Sequence, residues 1–437
     1  MCYQVDSSYD LSCNYQILLF WHKILYMNIN FFVNKINSLL TPQRMKYPYL
    51  VGALLWIGWI ISTIAGKGNT DLAGNLFGTD FVAFYTAGKI ILMGRGPELY
   101  NLDLAYSIQQ TLSNNQNIGF YPYLNPPQYA LFMVPFSLLP YPWAPLIWII
   151  LGIFCLYSSI KILTRENFNR FFLLSLTWLP VFSTASFGQN SFITLLLFSV
   201  TYSTWIRKRY FLSGVVYSLL LYKPQFLIAF IPAWFFDNQK KWPQLFGFFI
   251  GALIQIALIL ILIPEAGLSY ISYFQSTILN LSGISGFPTW HAFSIDAFWA
   301  LLLPNVTWLS RTLYVVCIII STYFYITLST RYKGNLAINC SLGILWLIWI
   351  IPYIMIYDWT LLLIPAILLW KHCIDLRQLW KACASVIWIS TFVSAALSKA
   401  QLLFLPFAIQ ISILGLGFVI LTVYASLNKA SKSLTEF

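Results

Sequence analysis

The sequence predicts an all-α integral membrane protein, a multi-pass bundle of about 12 transmembrane helices, and three observations lead there. Of 437 residues, 59% are hydrophobic and only 9% charged, where soluble chains carry about 25% charged residues. Apolar runs near 20 residues recur, the length a helix needs to cross roughly 30 Å of hydrocarbon. The formal charge of +12 could suggest nucleic acid, but the cations sit in short links between those runs: Arg207, Lys208 and Arg209, then Lys240 and Lys241, then Arg331 and Lys333. Such links read as cytoplasmic, and no nucleic-acid partner is expected. The seven cysteines are scattered without CxxC spacing, which implies neither a disulfide framework nor a zinc site.

Residues 1–44 are mixed in polarity, and their aromatic stretch from Ile17 to Val33 is broken by His22, Lys23, Asn28 and Asn30. Met45 followed by KYPYLVGALLWIGWIIS reads as a natural start. The first 44 residues are therefore expected to be a cytoplasmic extension or a misannotated start, with 45–437 as a single transmembrane domain. No cleavable signal peptide is apparent. A first span covers about Tyr47 to Ala65. The first extracytoplasmic loop, 66–125, follows, because Lys67, Lys89 and Arg95 are offset by Asp71, Asp80, Glu98 and Asp103. In it, Phe81, Phe84, Tyr85, Gly88 and Leu92 share one helical face, and Asn101 can cap a second helix through Gln110. Both are predicted to be amphipathic helices lying along the membrane surface.

The proline-rich NPPQYALFMVPFSLLPYPW suits a re-entrant or interfacial segment. Trp143–Leu163 is a full span ending inside at Arg165 and Arg170. Phe171 to Ser186 goes out, FGQN (187–190) turns, and Ser191 to Ile206 returns. The run 211–236 is a hairpin of two short helices whose outer tip is YKPQ (222–225), broken by Pro224. Trp242 to Ile263 leads to a second extracytoplasmic loop, 264–291, and a short helix holding His291 and Asp296. Leu309 to Leu328 returns. Residues 336–371 are too many for one span and should turn outside near IYDW (356–359). Spans at about 380–397 and 401–425 leave Lys429 and Lys432 inside. Both termini are then cytoplasmic, and Asp80, Gln189, Lys223, His291, Asp296 and Asp358 gather near the outer boundary.

Each of these residues has a plain structural role beside a functional one. Asp80 can cap the helix that starts at Phe81, or act as a general base whose pKa is raised by partial desolvation. Lys223 can snorkel, but a cation kept on the outer side can also hold a phosphate. His291 can pack, or donate to a phosphate oxygen. Asp358 in an apolar stretch should face a cavity or a partner. Gln189 and Asn190 cap or cross-link helices, and Arg95, Glu98 and Tyr100 fix a turn. No P-loop, HExxH, GxSxG or clustered metal-ligand spacing occurs.

The succession TDFVAFYTAGKIILMGRGPELYN, YPYLNPPQYALFMVPFSLLPYPWAPLIW, FGQNSF, YKPQ and YDWTLLLIPAILL resembles glycosyltransferase family 87, the polyprenol-phosphate-mannose-dependent mannosyltransferase type, over about residues 48–425. The resemblance implies a GT-C-type helical bundle in a bacterial plasma (inner) membrane, with its active site facing the periplasm or exterior. It also implies a polyprenyl-phosphate-linked sugar donor, mannose or another hexose, and an envelope glycan or glycolipid acceptor. By position the catalytic acid is Asp80. Lys223 and His291 would bind the donor phosphate, and Tyr85, Gln189, Asn190, Gln225 and Asp358 would support the site or meet sugar and acceptor. No cofactor is expected. A required metal is not expected either, because the leaving group is a monophosphate and no second carboxylate is foreseen beside Asp80. The alternatives are a multi-pass lipid or solute transporter or flippase, and a non-catalytic subunit of an envelope complex. Against transport, the chain shows no clear internal repeat, and its acids gather on one side.

Overall fold

The computed structural model describes residues 31–113, 119–164, 167–237, 242–277 and 289–435. The expectations for residues 1–30, Arg165, Lys240, Lys241 and the 278–288 part of the second loop lie outside the described residues. Secondary structure is helical throughout, with two isolated β-bridges and no strand among the described residues. Five single helices are long and apolar enough to cross a membrane, or up to seven spans if each of two bent pairs counts as one. Several turn large apolar side chains outward. Leu54, Ile57, Ile61 and Ile64 do so on one helix, and Phe246, Phe249, Leu253 and Ile261 on another. Exposed apolar bands of that extent belong against lipid.

A helix over residues 31–39 (α1) packs Val33 into the core and donates from Asn37 Nδ2 to the Gln378 carbonyl at 3.0 Å. The end of the amino-terminal extension is thus bound to the body. Helix α2 (Tyr47–Ile64), the first span candidate, is followed by α3 (Phe81–Leu92), α4 (Leu102–Leu112), α5 (Pro127–Ser137) and α6 (Trp143–Leu163). The sequence predicted a single apolar face for α3, and here the structure differs. Nearly every α3 side chain from Phe81 to Ile90 is buried, because α5 closes over one side and Trp148 of α6 over another. A Cβ on Gly88 would lie 2.1 Å from Ser137 Oγ, so the absence of a side chain lets α3 and α5 approach this closely. The second loop helix keeps its amphipathic character: α4 buries Ala105 and Gln109, and Asn101 caps it by accepting from the Asp103 and Leu104 amides.

The predicted outward run 171–186 is two helices, α7 (Phe168–Leu176) and α8 (Leu179–Ser186), interrupted where Pro180 follows an extended Trp178. After the FGQN turn, α9 (Ser191–Ile206) leaves at 118° to α8. The hairpin over 211–236 breaks at Lys223 as expected, but its middle winds as 3-10 helix. Helix α10 (Tyr210–Ser218) is followed by 3-10 segments Leu219–Tyr222 and Pro224–Phe230 and by α11 (Ile231–Phe236). Helix α12 (Trp242–Leu262) is another span candidate, and the 264–291 loop opens with a helix, α13 (Pro264–Ser276). Tyr273 of α13 stacks on Tyr100 with ring centroids 4.8 Å apart, which joins the two loops. Asp296 lies on α14 (Ile295–Leu302), whereas His291 ends a separate 3-10 turn, Thr289–His291, so the two do not share a helix. Helices α15 (Thr307–Arg331) and α16 (Leu336–Ile350) lead to a 3-10 segment, Ile356–Leu362, and α17 (Leu363–His372). The chain reverses at IYDW as predicted, and α18 (Arg377–Phe404) and α19 (Ile411–Thr435) end it.

Candidate active site

The site forms where α3, the α8–α9 turn, the break at Lys223 and the 356–362 segment meet. Gly188 adopts φ +67°, in the left-handed region, and a Cβ there would lie 2.6 Å from the Phe81 Cβ. This lets the turn press against the start of α3. The Phe187 carbonyl accepts from the Asp80 amide at 2.9 Å and the Phe81 amide at 3.1 Å. A backbone oxygen from elsewhere therefore serves the α3 amino terminus, and the Asp80 side chain makes no capping bond. The capping role open to Asp80 in the sequence is thus not the one its side chain performs.

The Asp80 carboxylate is instead partly accessible, with Oδ2 accepting from Gln189 Nε2 at 2.7 Å. Its pKa is raised from 3.8 to about 6, chiefly by desolvation. The Gln189 bond opposes that rise, the Asp358 charge adds to it, and the Lys223 charge opposes it. The two acids and the cation, separated by 143 and 278 residues from Asp80 respectively in the order Lys223 and Asp358, are therefore within electrostatic reach of one another. This corrects the expectation that no second carboxylate stands near Asp80.

Lys223 and Asp358 form a buried ion pair, Nζ to Oδ1 at 2.7 Å. Asp358 is held further by the Ser191 hydroxyl at 2.9 Å and by the Met355 amide at 3.4 Å. The apolar stretch around Asp358 thus tolerates an acid because a cation and two donors meet it. The Lys223 ammonium also lies 5.1 Å from the Phe226 ring centroid and 5.8 Å from that of Tyr357. Thr184 Oγ1 bonds the Tyr357 carbonyl at 3.2 Å and the Thr360 hydroxyl at 2.9 Å, fixing the 356–362 segment to α8.

His291 packs against Phe187 and Trp290, with ring centroids 5.7 and 5.2 Å away. Burial lowers its pKa from 6.5 to about 4, so its imidazole is neutral at pH 7. It can offer a phosphate one N–H but no charge. Its turn is tied to the 351–359 region by an Ala292–Met355 bridge and by Trp359 Nε1 donating to the Phe293 carbonyl at 3.0 Å.

The other predicted site residues divide. Gln189 and Asn190 lie in the turn beside Asp80, with the Asn190 side chain fully buried. Tyr85 is buried in α3, and its hydroxyl donates to the Leu139 carbonyl at 2.8 Å. Gln225 is exposed next to Pro224. Asp296 is buried and paired with Arg311, a link within the α14–α15 corner. Arg95 and Glu98 pair through Arg95 Nε to Glu98 Oε1 at 2.6 Å, fixing their turn. Sequence reasoning missed Ser191 and Tyr357 as partners of the pair; Ser191 directly follows FGQN and Tyr357 lies within IYDW, which was the available signal.

A family model described as glycosyltransferase family 87 matches residues 123–395. The chain belongs to glycosyltransferase family 87. It is a glycosyltransferase, and membership decides for an enzyme over a transporter. Comparison with curated proteins and with solved structures gives no match. The matched span contains Gln189, Asn190, Lys223, Gln225, His291 and Asp358, whereas Asp80 and Tyr85 precede it. What connects Asp80 to the family segment is its geometry: its helix is capped by Phe187 and its carboxylate bonded by Gln189, both of the matched span.

Proposed function

We propose that this glycosyltransferase moves a sugar, mannose or another hexose, from a polyprenyl-phosphate donor to an envelope glycan or glycolipid. The active site faces the extracytoplasmic side of a bacterial plasma membrane, with both termini cytoplasmic and the GT-C architecture that the sequence resemblance implies. The observation that carries this reading is a base and a cation brought together by the fold: a carboxyl with pKa about 6 within electrostatic reach of a buried ammonium.

The acceptor hydroxyl gives its proton to Asp80 as its oxygen attacks the anomeric carbon from the face opposite the phosphate. The bond from that carbon to the phosphate oxygen breaks, the configuration inverts, and the polyprenyl phosphate leaves with the electron pair. Gln189 holds the Asp80 Oδ2, which orients the other oxygen toward the acceptor. Lys223 donates one of its three N–H groups to Asp358 and has two for the departing phosphate, where its charge stabilises the developing negative charge. His291 adds a neutral N–H. Asp358 positions Lys223.

The test is transfer by purified protein from a panel of polyprenyl-phosphate sugars to envelope-lipid acceptors, with products identified by mass spectrometry, alongside Asp80→Asn. We expect free polyprenyl phosphate and glycosylated lipid from the wild type, and a loss of roughly 10²–10⁴-fold in the variant with folding retained. Undiminished transfer by Asp80→Asn would remove the base from this scheme.

A further inference from the structure

A second feature lies at the other end of the helices that build the site. Helix α2 begins beside Arg44 and ends, at Ile64, toward the loop that carries Asp80. Helix α7 begins near Arg170, and its continuation α8 ends at the Phe187 turn. Helix α18 begins at Arg377, while just beyond its far end Gln410 Nε2 bonds the Ala292 carbonyl at 2.7 Å, next to His291. The amino termini of all three helices therefore lie away from the candidate active site. Among them opens a cavity of about 730 Å³, within the range of small-molecule and lipid sites.

The cavity wall is apolar for most of its area, with Phe171, Trp178, Leu363, Trp380, Trp388 and Val419 among its residues. Arg44, Arg170, Arg377 and Lys381 also line it. Among the described residues no carboxylate pairs with any of the four. Asp375, the nearest acid in sequence to Arg377, is exposed and not part of the wall. Arg44 is turned to its own turn, donating to the Leu39 carbonyl at 3.2 Å, and Arg377 lies 5.4 Å from the Trp370 ring centroid.

Arg44 stands just before α2, Arg170 in the first turn of α7 and Arg377 at the start of α18 with Lys381 one turn on, and none of those first turns contains an acid. A helix amino terminus carries partial positive charge, so cations there add to it instead of offsetting it. Orientation in a membrane explains basic residues at cytoplasmic helix ends. It does not explain why three such ends converge on an apolar hollow. An amphiphile with an anionic head answers both features: its chains fill the cavity, and its phosphate neutralises the cations and accepts from them.

We propose that this cavity binds an anionic phospholipid from the adjoining leaflet, its phosphate held by Arg44, Arg170, Arg377 and Lys381 and its acyl chains among the tryptophans. The assignment stands independently of the sugar-transfer scheme. One wall of the cavity is Leu362, four residues after Asp358 in the same 3-10 segment.

The test is native mass spectrometry of the full-length protein in detergent, titrated with dioleoyl phosphatidylglycerol or with dioleoyl phosphatidylcholine, which has the same chains but no net charge. Wild-type protein should retain the anionic lipid roughly tenfold or more in preference, with one tight site. Equal retention of the two lipids would overturn the proposal without any variant. The triple variant Arg170→Gln/Arg377→Gln/Lys381→Gln should lose the preference, while Arg207→Gln/Lys208→Gln/Arg209→Gln, at another basic helix end, should keep it. Equal loss in both would mean general surface attraction and would overturn the site. Ala384→Trp, which fills the hollow, should lower retention of the anionic lipid with the cations intact. Displacement of phosphatidylglycerol by a polyprenyl phosphate at tenfold lower concentration would reassign the cavity to the carrier lipid and overturn the phospholipid assignment.

Discussion

The two ends of the α2, α7–α8 and α18 scaffold carry charge in opposite ways. At the Asp80 end, Lys223 and Asp358 are buried, paired at 2.7 Å and held by Ser191 and Met355. At the other end, Arg44, Arg170 and Arg377 are exposed and meet no carboxylate among the described residues. The difference teaches how each end can be altered. A buried charge must be compensated in the fold, so removing one partner leaves the other stranded. An exposed cation is already hydrated, so losing it should alter what binds and leave stability nearly unchanged.

The largest expected effect is the Asp80→Asn loss of transfer already described, since it removes the base while keeping the side chain's shape. Next is Lys223→Met, which leaves Asp358 buried without its cation and should cost about 3–5 kcal/mol, read as a lower thermal unfolding midpoint. Lys223→Met/Asp358→Asn should recover much of that stability, because a neutral amide keeps most of the local hydrogen bonding. It should not recover activity if Lys223 serves the phosphate. A double variant that regains both would reduce Lys223 to a structural counter-ion.

The pH response sharpens the contrast further. Asp80 has to be ionised to act as a base, so kcat/KM should rise with pH through about 6 and level off above it. Stability runs the opposite way. A carboxyl whose folded pKa lies above its unfolded value contributes stability at low pH, and that contribution is lost as pH rises through about 6. The wild-type unfolding midpoint should therefore fall, relative to that of Asp80→Asn, between about pH 4 and 6. Because the Gln189 bond holds the Asp80 pKa down, Gln189→Leu should move the acid limb of the rate profile to higher pH. An unmoved limb would separate that limb from Asp80. The smallest effect is expected of Tyr85→Phe, which loses only the bond to the Leu139 carbonyl, on the order of 1 kcal/mol of stability, with KM unchanged. A changed KM would return Tyr85 to the binding site.

Several features were legible from residue patterns alone. The Trp143–Leu163 span, the break at Lys223, the reversal at IYDW and the Asn101 cap all follow from local periodicity, proline placement and side-chain chemistry. The burial of α3 on nearly all its faces was not legible, because a helical wheel reports only which face is apolar. It cannot report that α5 and α6 bury the remaining faces too. Likewise, the bond from the Tyr85 hydroxyl to the Leu139 carbonyl depends on packing between distant segments and left no mark in the sequence.

By itself, the sequence determined that this chain is helical, apolar enough to cross a membrane several times, and a carrier of a few polar residues that an apolar environment cannot leave unpartnered. Those are local properties: they depend on composition, run length and the cost of burying a charge. Only the tertiary structure decided which of those residues pair. Asp80 was released from capping by a carbonyl 107 positions away, and Lys223 was joined to an acid 135 positions away. Such pairings depend on the angles at which helices cross and on how closely their backbones approach, and those are settled by packing across the whole bundle.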